Sequence, residues 1–94
     1  ESVVGDYGKH IVCAKVDQRF LDFSFKNGND LITPKKEIEF PGLKEGDRWC
    51  LCAGRWFQAY EDGYAPKIIL SSTSIEIVKY IDKEILKKFA LDLN

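Results

Sequence analysis

The chain has 94 residues, of which 45% are hydrophobic and 31% charged, and its net charge is −1. The length predicts one domain over residues 1–94, and the composition and charge are those of a globular chain rather than a disordered or fibrous one. The lack of net positive charge argues against a nucleic-acid partner, and no apolar run is long enough to span a membrane. Residues 1–10 do not have the features of a secretory signal, so we expect a cytoplasmic protein. We also expect a monomer or weak homo-oligomer with an unidentified protein or small-molecule partner and no cofactor.

The first quarter of the chain predicts a strand followed by a helix. Residues 10–16 place apolar side chains on both faces of an extended segment, which favours an interior strand. Asp17 is a suitable N-cap for a helix over residues 18–27, and Gly28 follows where a left-handed residue ends a helix. The apolar face expected for this helix consists of Phe20, Leu21, Phe23 and Phe25.

The middle of the chain is less regular until it reaches a second strand. Within residues 29–47, residues 37–40 are a candidate short edge strand. The second strand is predicted over residues 48–53, with the sequence RWCLCA. Alternation in a strand places Trp49, Leu51 and Ala53 on one face, and Cys50 and Cys52 on the other.

A helix and a third strand are predicted next. The helix covers residues 53–62, with Trp56 or Phe57 and also Tyr60 on its inner face. The strand begins at Pro66 and covers residues 66–72.

The last quarter of the chain is predicted to end in a helix. Residues 73–80 match a capping box before a helical turn, although their β-branched side chains leave a fourth strand as the alternative. Asp82 then caps a helix over residues 83–91, whose buried stripe is Ile85, Leu86, Phe89 and Ala90. Together these elements predict an α+β fold, a two-layer sandwich of three to four short strands with helices packed on one face.

Four segments resemble, in chain order, a family of small bacterial proteins known as domain of unknown function 2237. They are GKHIVCA, FLDFSFKNGNDLITP, FPGLKEGDRWCLCAGRW and YAPKIIL, and the resemblance runs from about Gly8 to about Ala90. The resemblance implies a two-layer α+β fold and carries no established activity, substrate or cofactor.

The chain departs from that family in two places. Family members usually have an N-terminal segment with several cysteines, whereas no cysteine precedes Cys13 here. Members also tend to have a Thr-His pair where this chain has Thr73-Ser74. We therefore expect that a family site built from those thiols or that imidazole is incomplete in this chain.

The three cysteines do not have the spacing of a disulfide framework. Cys50 and Cys52 are two positions apart on one strand and are badly placed to pair with each other, whereas Cys13 reaches one of them if their strands are neighbours. The expectation is free, mostly buried thiols in a reducing compartment.

Two chemical sites can be built from these residues. His10, Cys13, Cys50 and Cys52 supply enough ligands for tetrahedral zinc, but the pair Cys50 and Cys52 lies in a strand rather than in a loop that wraps an ion, so we expect no metal. The other site is a reactive Cys52, because a helix N-terminus favours thiolate. Its candidate catalytic residues are Cys52, Arg55 and His10, and the alternative is that Cys52 fills a small apolar gap.

Two Arg-Trp pairs also suggest a binding surface, because these residue types are common at interface hot spots. Alternation makes Trp49 a core residue, and Arg48 is expected to pair with Asp47 or Glu45 in a rigid turn. No nucleophile, phosphate-binding or dinucleotide motif is present. The sequence therefore favours a small binding or structural module over an enzyme, with a cysteine-centred activity or a Cys/His metal site as the alternative.

Overall fold

The computed structural model describes residues 11–92, so His10 lies outside the described residues. The regular elements are β1 (Val12–Lys15), α1 (Gln18–Lys26), β2 (Arg48–Leu51), α2 (Ala53–Glu61), β3 (Lys67–Ile68) and α3 (Lys83–Phe89). Short 3-10 turns connect them at Lys36–Ile38, Leu70–Ser72 and Ile75–Lys79. The α+β prediction is confirmed. None of the helices within residues 11–92 has the length and apolar character needed to cross a membrane.

The strands form one antiparallel sheet in the order β2-β1-β3, so the first strand in sequence is the central one. This agrees with the prediction of an interior strand, which came from the apolar character of both its faces. Side chains alternate between the two faces of the sheet. We call the face that carries Val12, Ala14 and Leu51 the core face, and the other the open face.

Within residues 11–92, one hydrophobic cluster joins the core face to helices α1, α2 and α3. Its helical members are Phe20 and Leu21 from α1, Ala53, Trp56 and Ala59 from α2, and Leu86 from α3. The indole of Trp56 is fully buried, and its Nε1 donates a hydrogen bond to the Pro66 carbonyl at 3.0 Å. The ring of Trp56 stacks on Tyr60 and meets Phe89 edge to face, with centroid distances of 5.6 and 5.2 Å. Helices therefore cover one face of the sheet, as expected.

Helix α1 begins and ends where the sequence predicts. The Asp17 carboxylate accepts a hydrogen bond from the Phe20 amide at 2.8 Å, and Gly28 has a φ of +86° just after the helix. Part of the expected apolar face is wrong, because Phe25 is 53% exposed whereas Ser24 is buried. Consecutive residues are about 100° apart around a helix, so a buried stripe that contains Ser24 directs Phe25 to solvent.

The edge strand predicted over residues 37–40 is wrong. Lys36–Ile38 form a 3-10 turn, and only the bridge between Lys35 and Phe40 is extended. Glu39 adopts a left-handed φ of 56°, which closes a tight loop between the two bridge residues. The segment is therefore a loop whose ends are paired, not a fourth strand.

Asp30 fixes the turn that precedes this loop. Its Oδ1 accepts hydrogen bonds from the Ile32 and Thr33 amides at 2.9 and 3.0 Å. Hydrogen bonds from the Thr33 side chain, then from the Thr33 and Ile32 amides, hold the pKa of Asp30 below its ordinary value of 3.8. Gly42 lies nearby at a φ of +84°, where a Cβ would overlap the Ile32 carbonyl oxygen, so the loop requires glycine there.

The third strand is shorter than the predicted 66–72, because the chain leaves the sheet after Ile68 and turns at Leu70–Ser72. The helical alternative for residues 73–80 is correct, as a 3-10 turn, and the fourth strand is wrong. The cap of that turn is Ser74, whose hydroxyl accepts a hydrogen bond from the Glu76 amide at 3.1 Å.

Thr73 and Asp92 fix the C-terminal part of the chain against the sheet. The Thr73 hydroxyl accepts a hydrogen bond from the Cys13 amide at 3.1 Å and donates one to the Ile69 carbonyl at 2.8 Å. The Asp92 carboxylate accepts from the amides of Leu70 and Ser71, both at 2.9 Å. Those two amides, Ser71 first, hold the pKa of Asp92 below its ordinary value of 3.8.

Candidate functional site

Cys13 and Cys50 form a disulfide that joins β1 to β2. The two residues are directly opposite each other in the antiparallel register. The Cys13 amide and carbonyl bond instead to Thr73 and Ile69, so this is a non-hydrogen-bonded pair of the β1–β2 ladder, the kind whose side chains come closest. The expectation of free thiols is therefore wrong for these two cysteines, because it did not include the strand register that places Cys13 opposite Cys50.

The disulfide lies on the open face of the sheet, beside a row of cations. Because Val12 and Leu51 belong to the core face, the next pair of the ladder, Cys13 and Cys50, projects to the other side. The following row of the open face contains Lys15 and, directly opposite it, Arg48. Lys67 is also opposite Lys15 in the register, but its ammonium lies over the ring of Phe89 in α3, 5.4 Å from the ring centroid. Like charges directly opposite one another on a sheet repel, so this row destabilises the sheet unless an anion neutralises it.

Arg48 has no partner for its charge among the described residues. The predicted pairing with Asp47 or Glu45 is wrong, because neither carboxylate lies within ion-pair distance of the guanidinium. The Asp47 carboxylate instead accepts a hydrogen bond from the Lys44 amide at 2.8 Å, which holds the turn before β2. The guanidinium is therefore available to a ligand.

A groove of about 410 Å³ opens beside the disulfide, and we call it the disulfide groove. Its lining residues are Cys13, Arg48, Trp49, Cys50, Ile69 and Ser72. Cys13 and Ile69 are each only 8% exposed and form its floor, whereas Arg48 is exposed at its rim. The groove thus combines an apolar floor with one unpaired cation.

A second groove of about 210 Å³ runs along the outer side of β2, and we call it the edge groove. Its lining residues are Asn29, Leu31, Trp49, Cys50, Leu51, Cys52 and Arg55. Cys52 is the free thiol of residues 11–92, half-buried at the N-cap of α2 without a side-chain capping bond. The Arg55 guanidinium donates a long hydrogen bond of 3.4 Å to the Asn27 carbonyl.

The predicted site residues thus meet only in part. Cys52 and Arg55 line the edge groove together with Cys50, and Cys13 is bonded to Cys50 from the neighbouring strand β1. Over the described residues 11–92, no three His, Cys, Asp or Glu side chains are placed to hold a metal ion. The proposed roles of His10, Cys52 and Arg55 in catalysis stay predictions.

Sequence reasoning missed Ile69 and Ser72, which complete the disulfide groove. Ile69 lies in the segment YAPKIIL, but neither residue type indicates a site, and both residues are far from Cys13 in sequence. One pattern pointed to Ile69: in an extended segment where Ile68 faces the core, the next side chain faces the opposite side.

The comparison with protein families matches most of this chain. A family model described as an uncharacterized protein conserved in bacteria (DUF2237) matches residues 1–90. The resemblance carried by the four sequence segments is confirmed by this match. No curated protein matches the chain significantly.

Proposed function

The chain belongs to the family of uncharacterized proteins conserved in bacteria (DUF2237), and from this premise we propose that it is a small binding module whose ligand site is the disulfide groove. The observation that carries the proposal is a concave, mostly apolar surface with the Arg48 guanidinium at its rim, unpaired within residues 11–92. Ligand sites in proteins commonly combine an apolar lining with a few polar groups that orient the ligand.

The lining selects a small ligand that combines an apolar ring with one anionic group. The disulfide, whose Cys50 is half-buried, and the side chain of Ile69 offer an apolar surface on which a ring can lie. The Arg48 guanidinium is a planar donor that matches the geometry of a carboxylate or a phosphate. An anion bound there also relieves the repulsion between Arg48 and Lys15, so binding stabilises the sheet.

The test uses phenylacetate as the probe, with the uncharged 2-phenylethanol as its control. Backbone amide NMR is expected to show shifts at Ile69, Ser72 and Cys50 with phenylacetate. The substitution Arg48→Ala is expected to weaken binding about tenfold, because a charged hydrogen bond contributes about 1.5–3 kcal/mol when it is well made. Lys36→Ala, which removes an exposed cation outside the groove, is the matched control. Equal affinity of both variants for phenylacetate, or no shifts, would contradict the proposal.

Thiol–disulfide exchange is the second candidate, favoured by a disulfide that lines an open groove. We propose that a partner dithiol protein is the reductant. One partner thiolate attacks a sulfur of the Cys13–Cys50 bond, which forms a mixed disulfide and releases the other cysteine as a thiolate. The second partner thiolate then attacks the partner's own sulfur in the mixed disulfide and releases the remaining cysteine as a thiolate, and both released thiolates take up a proton from solvent. The partner leaves as a disulfide, and Cys13 and Cys50 become thiols. A cytoplasmic location, which we also propose, favours this candidate because disulfides there are usually catalytic or redox-sensing.

Dithiothreitol measures whether the bond is open to exchange. For the exchange function, we expect reduction of the native protein to proceed at least as fast as that of the urea-unfolded protein, with the half-buried Cys50 in the groove lining as the point of attack. Quenching with iodoacetamide and mass spectrometry of the labelled cysteines gives the rate. Protection of the native bond by a factor of a hundred or more would mean that Cys13–Cys50 only stabilises the fold.

A further inference from the structure

The outer edge of β2 carries backbone groups that are unpaired within residues 11–92. β2 is the last strand in the order β2-β1-β3, so only one of its sides faces another strand. The Asp47 carbonyl accepts a hydrogen bond from the Val16 amide at 2.9 Å. The odd-numbered residues of this segment therefore direct their backbone N–H and C=O groups toward β1. The even-numbered residues therefore direct theirs outward. The outward groups are the N–H and C=O of Arg48 and of Cys50, and the N–H of Cys52.

Among residues 11–92, these outward groups face a groove rather than another element of the fold. The edge groove runs along them, and four of its lining residues, 49–52, are consecutive along the strand and its end. Its other wall is formed by Asn29 and Leu31, from the loop after α1, and by Arg55 at the start of α2. The groove shares only Trp49 and Cys50 with the disulfide groove, so it is a separate surface.

We propose that this edge binds an extended segment of a partner protein, which adds to the sheet as a fourth strand beside β2. Strand addition to an open edge draws affinity from main-chain hydrogen bonds and specificity from pockets for alternate side chains. The outward groups of Arg48, Cys50 and Cys52 supply the main-chain bonds. This inference goes beyond the small-ligand function proposed above and does not depend on it.

The two faces of the sheet specify which side chains the added strand carries. On the open face it continues the row that already contains Arg48 and Lys15, so acidic residues fit there. The intervening residues lie on the side of Leu31 and Leu51, both buried, so apolar residues fit there. Arg55 adds a further cation at the end of the groove. The partner segment therefore alternates acidic and apolar residues.

Charge favours such a partner over a second copy of this chain. If β2 paired with β2 of a second copy about Cys50, the two open faces would form one continuous surface. That surface would carry two rows of cations, each made of Arg48 and Lys15. An acidic strand neutralises this charge, whereas a second copy doubles it.

The probe is an end-capped peptide of alternating glutamate and valine, titrated into the full chain and followed by backbone amide NMR. Its control is the same peptide with lysine in place of glutamate. The acidic peptide is expected to shift the amides of Arg48, Cys50 and Cys52 more than any others, and the lysine peptide to leave them unchanged.

A pair of substitutions at Cys52 isolates one main-chain bond. Cys52 has a φ of −77° and follows the strand residue Leu51, so proline fits there without strain. Both Cys52→Pro and Cys52→Ala remove the thiol. Cys52→Pro also removes the outward backbone N–H, whereas Cys52→Ala keeps that N–H. We expect Cys52→Pro to bind the acidic peptide about three- to tenfold more weakly than Cys52→Ala. Unchanged amide spectra of β1 in both variants show that the fold is retained.

Several results would overturn the proposal. One is equal peptide affinity of the two Cys52 variants, which would mean that the amide makes no bond. Another is a set of shifts confined to Cys13 and Ile69, which would place the peptide in the disulfide groove instead. Absence of shifts at about millimolar peptide, or stronger binding of the lysine peptide, would also overturn it. Shifts of the edge amides with protein concentration alone would identify a second copy as the occupant.

Discussion

Replacing both cysteines of the Cys13–Cys50 disulfide with alanine is expected to lower the free energy of unfolding by about 4 kcal/mol. The bond joins residues 37 positions apart, and a cross-link of that span removes much of the conformational entropy of the unfolded chain. Its absence also leaves the short β1–β2 ladder to hold the edge strand alone. Urea unfolding of the oxidised protein and of the double variant measures the difference.

The matched control for this prediction is Cys52→Ala, which removes a thiol that belongs to no disulfide. Its expected effect is below about 1 kcal/mol, in the range of substitutions at half-exposed positions. Intact mass before and after alkylation under native oxidising conditions shows whether the bond is present. If the double variant were as stable as Cys52→Ala, the disulfide would have no part in holding the sheet together.

The substitution Trp56→Ala is expected to cost about 3–5 kcal/mol of unfolding free energy, which is the usual range for a buried aromatic residue. The indole is fully buried and lies between the sheet and α3, in contact with Tyr60 and Phe89. Its loss leaves a cavity and also leaves the Pro66 carbonyl without its donor. Because a loss of about 1 kcal/mol shifts the Tm of a domain of this size by about 4–8 °C, the Tm of this variant is expected to fall by about 12–40 °C.

Two further variants separate the contributions of Trp56. Trp56→Phe keeps an aromatic ring but removes the indole N–H, so it is expected to lose about 1–3 kcal/mol. Phe25→Ala removes an aromatic side chain that is 53% exposed on α1, and its expected effect is below about 1 kcal/mol. Circular dichroism during urea unfolding gives all three values. A similar loss for Trp56→Ala and Phe25→Ala would place Trp56 outside the core.

The local part of the fold follows from the sequence. The Asp17 cap and Gly28 define helix α1, and the apolar character of both faces of β1 identifies it as the central strand. The alternation in RWCLCA places Cys50 on the face opposite Leu51, as observed. These features depend on residues that are neighbours along the chain, so capping, periodicity and turn chemistry are sufficient to predict them.

The non-local part does not follow in the same way. The pairing of Cys13 with Cys50 depends on the register of two strands, and a shift of one residue would turn Cys50 toward the other face. The tight loop at Lys35–Phe40 depends on a left-handed Glu39, which nothing in the residue type indicates. Ile69 and Ser72 reach the disulfide groove only because the chain turns at Leu70–Ser72 directly after β3.

The position of β1 at the centre of the sheet has a consequence for the order in which the protein is made. A ribosome releases β1 before either of its neighbours, β2 and β3, has been synthesised. Until they appear, a strand with two apolar faces and two open edges is exposed, and the Cys13 thiol has no partner. The nascent chain is therefore expected to be most vulnerable to aggregation and to misdirected oxidation in the interval before Cys50 emerges.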